Sequence, residues 1–223
     1  MFNPILRAAA PLLALAVLSA PVSAASVIVN GTFDNNTTGW TGSYSTRIAD
    51  PWIDTGSYYF PGAGPTHSIS QDYALSTEER AKTQTGRLGY AFSADMFGWH
   101  GQRDYSILSV SFFDSANTLM GFAALDTRDI YPDTGMPWDL FIYAGGKYYQ
   151  ELTGFLPTGT TLLRFAIDSV RVGGGTNNDG YIDNASFVLT DMPAPAPVPL
   201  PATLPLLAAG VVGMGALRRR KTR

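Results

Sequence analysis

Apolar and polar residues alternate with period two in three separate stretches of the chain. Residues 87–95 (RLGYAFSAD) place Leu88, Tyr90, Phe92 and Ala94 on one face. Residues 105–113 (YSILSVSFF) carry Ile107, Leu108, Val110, Phe112 and Phe113, which predicts a more fully buried strand. Residues 161–172 (TLLRFAIDSVRV) repeat the pattern with Leu163, Phe165, Ile167 and Val170, interrupted by charges. Successive side chains of a strand point to opposite faces, so this spacing predicts strands. Gly, Pro, Asn and Asp cluster at 61–65 and 173–180 and read as the turns between them. Only residues 76–83 (STEERAKT) predict a short helix or polar turn. The expected fold is all-β, a two-sheet antiparallel jelly-roll sandwich.

The two ends follow a different pattern. Arg7 is the only charge before an apolar run at 8–18, and Val22-Ser23-Ala24 offers a small-residue cleavage site. Cleavage is expected after Ala24, because a cut after Ala20 would leave Pro21 next to it. At the other end, 18 residues from Leu200 to Leu217 carry no charge, which is about the lower limit for spanning a hydrocarbon core of roughly 30 Å. Arg218, Arg219, Arg220, Lys221 and Arg223 follow at once and are expected to stay in the cytoplasm. The sequence is therefore divided into a signal helix (1–24), a β-sandwich domain (25–191), a Pro-rich linker (192–199) and a tail (198–223) with a single transmembrane helix.

Charge is divided in the same way. All eighteen Asp and Glu lie between Asp34 and Asp191, against nine Lys and Arg in that stretch, a net charge of about −9. Such a domain repels phosphate backbones, which argues against a nucleic-acid partner. There is no cysteine, so no disulfide or thiolate metal site contributes.

Val198-Pro199-Leu200-Pro201-Ala202, the apolar segment and the arginine cluster stand in fixed order at the C-terminus. Together they resemble the PEP-CTERM sorting signals of Gram-negative bacteria, in the variant whose proline motif reads Val-Pro-Leu-Pro-Ala. The resemblance implies export across the inner membrane and transient anchoring there. It also implies recognition by an exosortase-type processing enzyme, then transfer to the cell surface or extracellular matrix. Proteins with such tails are often associated with exopolysaccharide and biofilm.

Within the domain, Val29-Asn30-Gly31-Thr32-Phe33-Asp34 is followed by Gly39-Trp40, and the late segment reads Asn178-Asp179-Gly180-Tyr181-Ile182-Asp183-Asn184-Ala185-Ser186-Phe187. In this order the motifs resemble the jelly-roll carbohydrate-binding modules of the galactose-binding-like superfold. The resemblance implies that the two segments lie side by side and hold a structural calcium, with Asp34 and Asp183 at the matching positions. The residues alone offer Asn30, Asp34, Asp179, Asp183 and Asn184 as oxygen donors for such a cation. They are equally the natural choices at turns and strand ends.

Exopolysaccharide recognition would need aromatic faces beside planar polar groups. The candidates are Trp52, Trp99, Trp138, Tyr148 and Tyr149, with Gln102 and Arg103 following Trp99 in the glycine-bracketed run 98–104 (GWHGQRD). Trp40 reads instead as a structural plug. Catalysis leaves little trace: the chain has two His and three Glu, and it lacks His-Glu-x-x-His, Gly-x-Ser-x-Gly and a phosphate loop. Asp126 with Asp129, and His100 with Asp104, are the only pairs worth weighing as acid and base. Three readings remain open: a non-catalytic glycan-binding module, a structural matrix protein, or a carbohydrate-active enzyme on the same scaffold.

Overall fold

A computed structural model of the chain describes residues 25–36, 38–42, 44–48, 56–99, 103–130 and 147–193. The signal segment, the sorting tail, Trp52, His100, Gln102 and Trp138 lie outside the described residues. Among the described residues no helix is long and apolar enough to cross a membrane.

The first half of the chain forms β1 (Thr41–Gly42), β2 (Ser45–Ile48), β3 (Ser57–Phe60), β4 (Gly62–Ala63), β5 (Thr66–Ala74), α1 (Thr77–Gln84) and β6 (Leu88–Gly98). The second half forms β7 (Tyr105–Phe113), β8 (Leu119–Asp126), α2 (Thr127–Ile130), β9 (Tyr148–Phe155), β10 (Leu162–Val170), β11 (Asn177–Asn178) and β12 (Gly180–Asp191). One five-stranded sheet, here sheet A, has the order β2-β3-β12-β6-β9, and sheet B has the order β1-β5-β10-β7-β8. Every ladder is antiparallel. From β5 onward the chain crosses repeatedly between the two sheets, so neighbouring strands of one sheet are mostly distant in sequence.

The core lies between the sheets and follows the period-two pattern. Phe92, Ala94 and Met96 of β6 and Ile182 and Phe187 of β12 meet Leu108 and Val110 of β7 and Leu163, Phe165 and Ile167 of β10, all fully buried. Phe187 stacks on Tyr90 at 4.9 Å and meets Phe165 edge-on at 5.2 Å. Each large side chain so buried contributes about 1.5–3 kcal/mol.

Several positions depart from the sequence expectation. Ile107 and Phe113 face outward and are only half-buried, because β7 keeps strict alternation. The inward position after Ile167 is filled by Ser169, and Val170 faces out. Ser169 is tolerated there because its hydroxyl is bonded to Tyr59 Oη at 3.0 Å and to Ser106 Oγ at 2.6 Å. The glycine-rich runs at 61–65 and 173–180 are not simple turns, since β4 and β11 within them pair as a small separate ladder. The stretch STEERAKT does form a helix. Ser76 accepts from Glu79 N while the Glu79 carboxylate accepts from Ser76 N, a capping box.

Candidate functional site

Residues 29–40 wind through a series of tight turns and dock on β12. Asn30, Phe33 and Asn36 all take positive φ, at 52°, 56° and 52°. The Asn30 side chain holds the turn by donating to the carbonyls of Asn36 and Thr38 and accepting from Asn35 N. Phe33 is fully buried and stacks on Trp40 at 5.9 Å, and Trp40 Nε1 donates to the Asn30 carbonyl. Trp40 is thus the plug its position suggested. Ala185 N donates to the Gly31 carbonyl at 2.9 Å, so the Asn-Gly-x-Phe segment and the late Asp-Asn strand do lie side by side.

Their carboxylates point to different work. Asp34 is exposed and accepts from Ser57 N at 3.3 Å. Asp183 is buried on the outer face of sheet A, where Oδ2 accepts from Lys147 Nζ at 2.6 Å and Oδ1 from Asn184 N at 2.8 Å. Asn184 sits at a β-bulge with φ 51° and donates to Asp95 Oδ2 at 2.7 Å. Among the described residues no group of three or more His, Cys, Asp or Glu side chains could hold a metal ion. The cation that Asp183 meets in this structure is the Lys147 ammonium. As placed, these residues do not fit the calcium site that the motifs imply.

The aromatic candidates are partly enclosed. Tyr58, Phe60, Phe97 and Tyr181 form a second buried cluster on the outer face of sheet A, and Trp99 and Tyr148 pack against it half-buried. The segment 57–60 (SYYF) puts aromatics on both faces of β3, which is why period-two reasoning did not single it out. Arg103 is exposed, while Tyr149 projects from β9 with 63% exposure. Asp104 is buried, and its oxygens accept from the backbone N–H groups of Val172, Gly173 and Asp179. It thereby ties down the 171–179 segment. Asp126 is engaged by Arg128.

The outer face of sheet B is built differently. Ladder registers align Ser70, Ala166, Ser109 and Ala124 in one row across β5, β10, β7 and β8. The row on one side is Asp72, Arg164, Ser111 and Phe122, and on the other Ser68, Asp168, Ile107 and Asp126. Four small side chains therefore form a floor between two rows that carry longer ones. The floor spans three inter-strand steps, about 14 Å, and Arg164 and Asp168 stand about 13 Å apart along β10.

Both sides are held in place. Arg164 makes two parallel bonds to Asp72, at 2.8 and 2.9 Å, with its guanidinium 5.4 Å from the Phe113 ring centre. Those hydrogen bonds hold the Asp72 carboxyl below its ordinary value, so the pair stays charged at neutral pH. Opposite, Arg128 bonds Asp126 and lies 4.1 Å over the Tyr105 ring. Phe122 is 72% exposed. An open trough with flanking rings and fixed planar polar groups suits a sugar chain, whose C–H faces pack on rings while its hydroxyls need donors and acceptors. Asp126 was singled out in the sequence only as an acid or base, and Ile107 and Phe113 only as core residues; the face itself is not legible there, because only the register brings its residues together.

Fold and face together define a two-sheet β-sandwich domain with one open, rigidly held sheet surface. No family model matches the sequence, and no curated protein matches it. Among solved structures, the chain is similar to the enzymatically active domain of tailspike protein 4 of bacteriophage CBA120, with 12% identity and a TM-score of 0.50. The similarity covers 74% of this chain but 21% of that one, so it reports a shared fold in about a fifth of the tailspike structure. The chain is also similar to a family 16 carbohydrate-binding module, with 18% identity, a TM-score of 0.48, and coverage of 72% of this chain and 98% of that one. A third similar structure is TmCBM61 in complex with β-1,4-galactotriose, with 16% identity, a TM-score of 0.42, and coverage of 74% and 98%.

Proposed function

We propose that this chain is an exported, surface- or matrix-sorted protein whose β-sandwich binds exopolysaccharide without cleaving it. The observation that carries the reading is the trough on sheet B, with Ser70, Ala166, Ser109 and Ala124 as floor and Arg164, Asp72 and Phe122 along one side. The trough runs across the strands, so a glycan of a few residues can lie along it. Its chemistry favours binding over hydrolysis. Asp72 and Asp126 are each committed to an arginine. Asp168 is about 13 Å along the strands from the Asp72 row and about 9.5 Å from Asp126 in its own row, at the upper end of the range for paired glycosidase carboxylates, with the Asp126 carboxylate already held by Arg128.

The test is a glycan array with residues 25–193, including polysaccharide from the producing cells, followed by Ala166→Trp. This substitution fills the floor on a face that the core does not use. Binding is expected to fall at least tenfold, about 1.4 kcal/mol, with a thermal melt shifted by no more than about 0.5 kcal/mol. Unchanged affinity in Ala166→Trp would remove the trough as the site. A Trp99→Ala variant that lost affinity with an unchanged melt would move the ligand to the Trp99–Arg103 side of sheet A. Absence of binding to any glycan would favour the structural matrix role instead.

A further inference from the structure

On the reading that the sheet B trough is the glycan site, we propose that it selects chains of amino sugars with free ammonium groups, and that Asp168 recognises the ammonium. The three rows of the trough carry four charged side chains, Asp72, Arg164, Asp168 and Asp126, and Arg128 joins them from α2. Four of these five are paired. Arg164 donates from Nε and Nη2 to the two oxygens of Asp72. Arg128 donates from Nε and Nη2 to Asp126 and lies over the Tyr105 ring. The fifth, Asp168, is exposed on β10, the central strand of sheet B. Among the described residues no Lys or Arg side chain lies within ion-pair distance of it. The trough therefore holds one uncompensated negative charge.

That charge sorts glycans by class. A uronic-acid chain meets guanidiniums already held by carboxylates, and must bring its own carboxylates up to Asp168 on a domain of net charge about −9. An unmatched like charge is one way a site rejects a competitor. Screening reaches about 8 Å at physiological ionic strength, so Asp168 acts on the sugar beside it and little on the rest of the chain. A chain bearing ammonium groups supplies the missing countercharge.

The neighbours of Asp168 fit the same ligand. Register sets Ser68 of β5 on one side of it and Ile107 of β7 on the other, with Cβ atoms about 4.5–5.5 Å away. An ammonium has three N–H donors, and the carboxylate and the exposed Ser68 hydroxyl both accept. Ile107 offers an apolar contact to the C–H edge of the same sugar. An N-acetyl group at that position would carry no charge and donate a single N–H.

Titration calorimetry of the full-length protein in detergent, in mildly acidic buffer where the sugar amine is protonated, tests this with three oligosaccharides of equal length. They are β-1,4-linked glucosamine, its N-acetylated form and β-1,4-linked mannuronate. The glucosamine chain is expected to bind about fivefold tighter than the N-acetylated one, the upper range for one exposed ion pair, and mannuronate most weakly. Asp168→Asn should make the first two equal without weakening the N-acetylated chain, and Asp168→Lys should turn the order toward mannuronate. Glu151→Gln removes an exposed carboxylate from sheet A and should leave the preference intact, which separates recognition at Asp168 from attraction to total charge. A preference that survives Asp168→Asn, or falls equally in Glu151→Gln, would overturn the proposal. Equal affinity for the amine and acetyl forms would also overturn it; if Ala166→Trp still lowered both, the trough would stand as the glycan site without this selectivity. A glucosamine preference untouched by Ala166→Trp would remove the trough itself. Failure of all three chains to bind would overturn the proposal whatever other glycan the trough accepts.

Discussion

Gly31→Ala probes the contact that joins the first motif of the domain to the last. A Cβ at Gly31 would stand 1.9 Å from the Ala185 carbonyl oxygen and 2.9 Å from its carbon, both backbone atoms that cannot swing aside. Its φ lies outside the left-handed region, so the backbone conformation itself would accept alanine. The cost is therefore steric. One backbone must retreat by about 1 Å, a strain of roughly 1–3 kcal/mol. The Ala185 N–H to Gly31 bond at 2.9 Å would be lost or stretched, a further loss of about 1 kcal/mol. The sum is roughly 2–4 kcal/mol, or about 5–15 °C in melting temperature for a domain of this size. Gly86→Ala is the matched control. Gly86 has φ +65° with no atom within 4 Å of its would-be Cβ, so only the left-handed penalty of about 1–2 kcal/mol applies. Differential scanning calorimetry of residues 25–193 compares the two. A Gly31→Ala melt equal to wild type, or higher than that of Gly86→Ala, would refute the argument that close approach to β12 dictates this glycine.

Two further outcomes are expected. Because Lys147 already neutralises Asp183, EDTA should leave the wild-type melt unchanged, and Lys147→Ala should destabilise the domain by leaving a buried carboxylate without its ammonium. A wild-type melt lowered by EDTA and restored by calcium would show instead that a metal displaces Lys147. For sorting, truncation after Pro197 should release the exported domain in soluble form, and replacing Arg218, Arg219 and Arg220 with Glu should disturb membrane orientation. Cell fractionation decides this, and surface retention of the truncated chain would contradict the anchor.

What could be read from the sequence was whatever depends on one strand at a time. Leu88, Tyr90, Phe92 and Ala94 line the core because a strand's two faces are set locally, and the same holds for Leu163, Phe165 and Ile167. The capping box at Ser76 and Glu79 was equally local. What could not be read depends on strands meeting. Ser70, Ala166, Ser109 and Ala124 are unremarkable serines and alanines until register aligns them. Lys147 and Asp183 pair across 36 positions, so no local pattern marks the ammonium beside that carboxylate. Trp99 lies between Phe97 neighbours and a glycine-bracketed loop. The ring packs against an aromatic cluster drawn from β3, β6 and β12, which no local pattern shows.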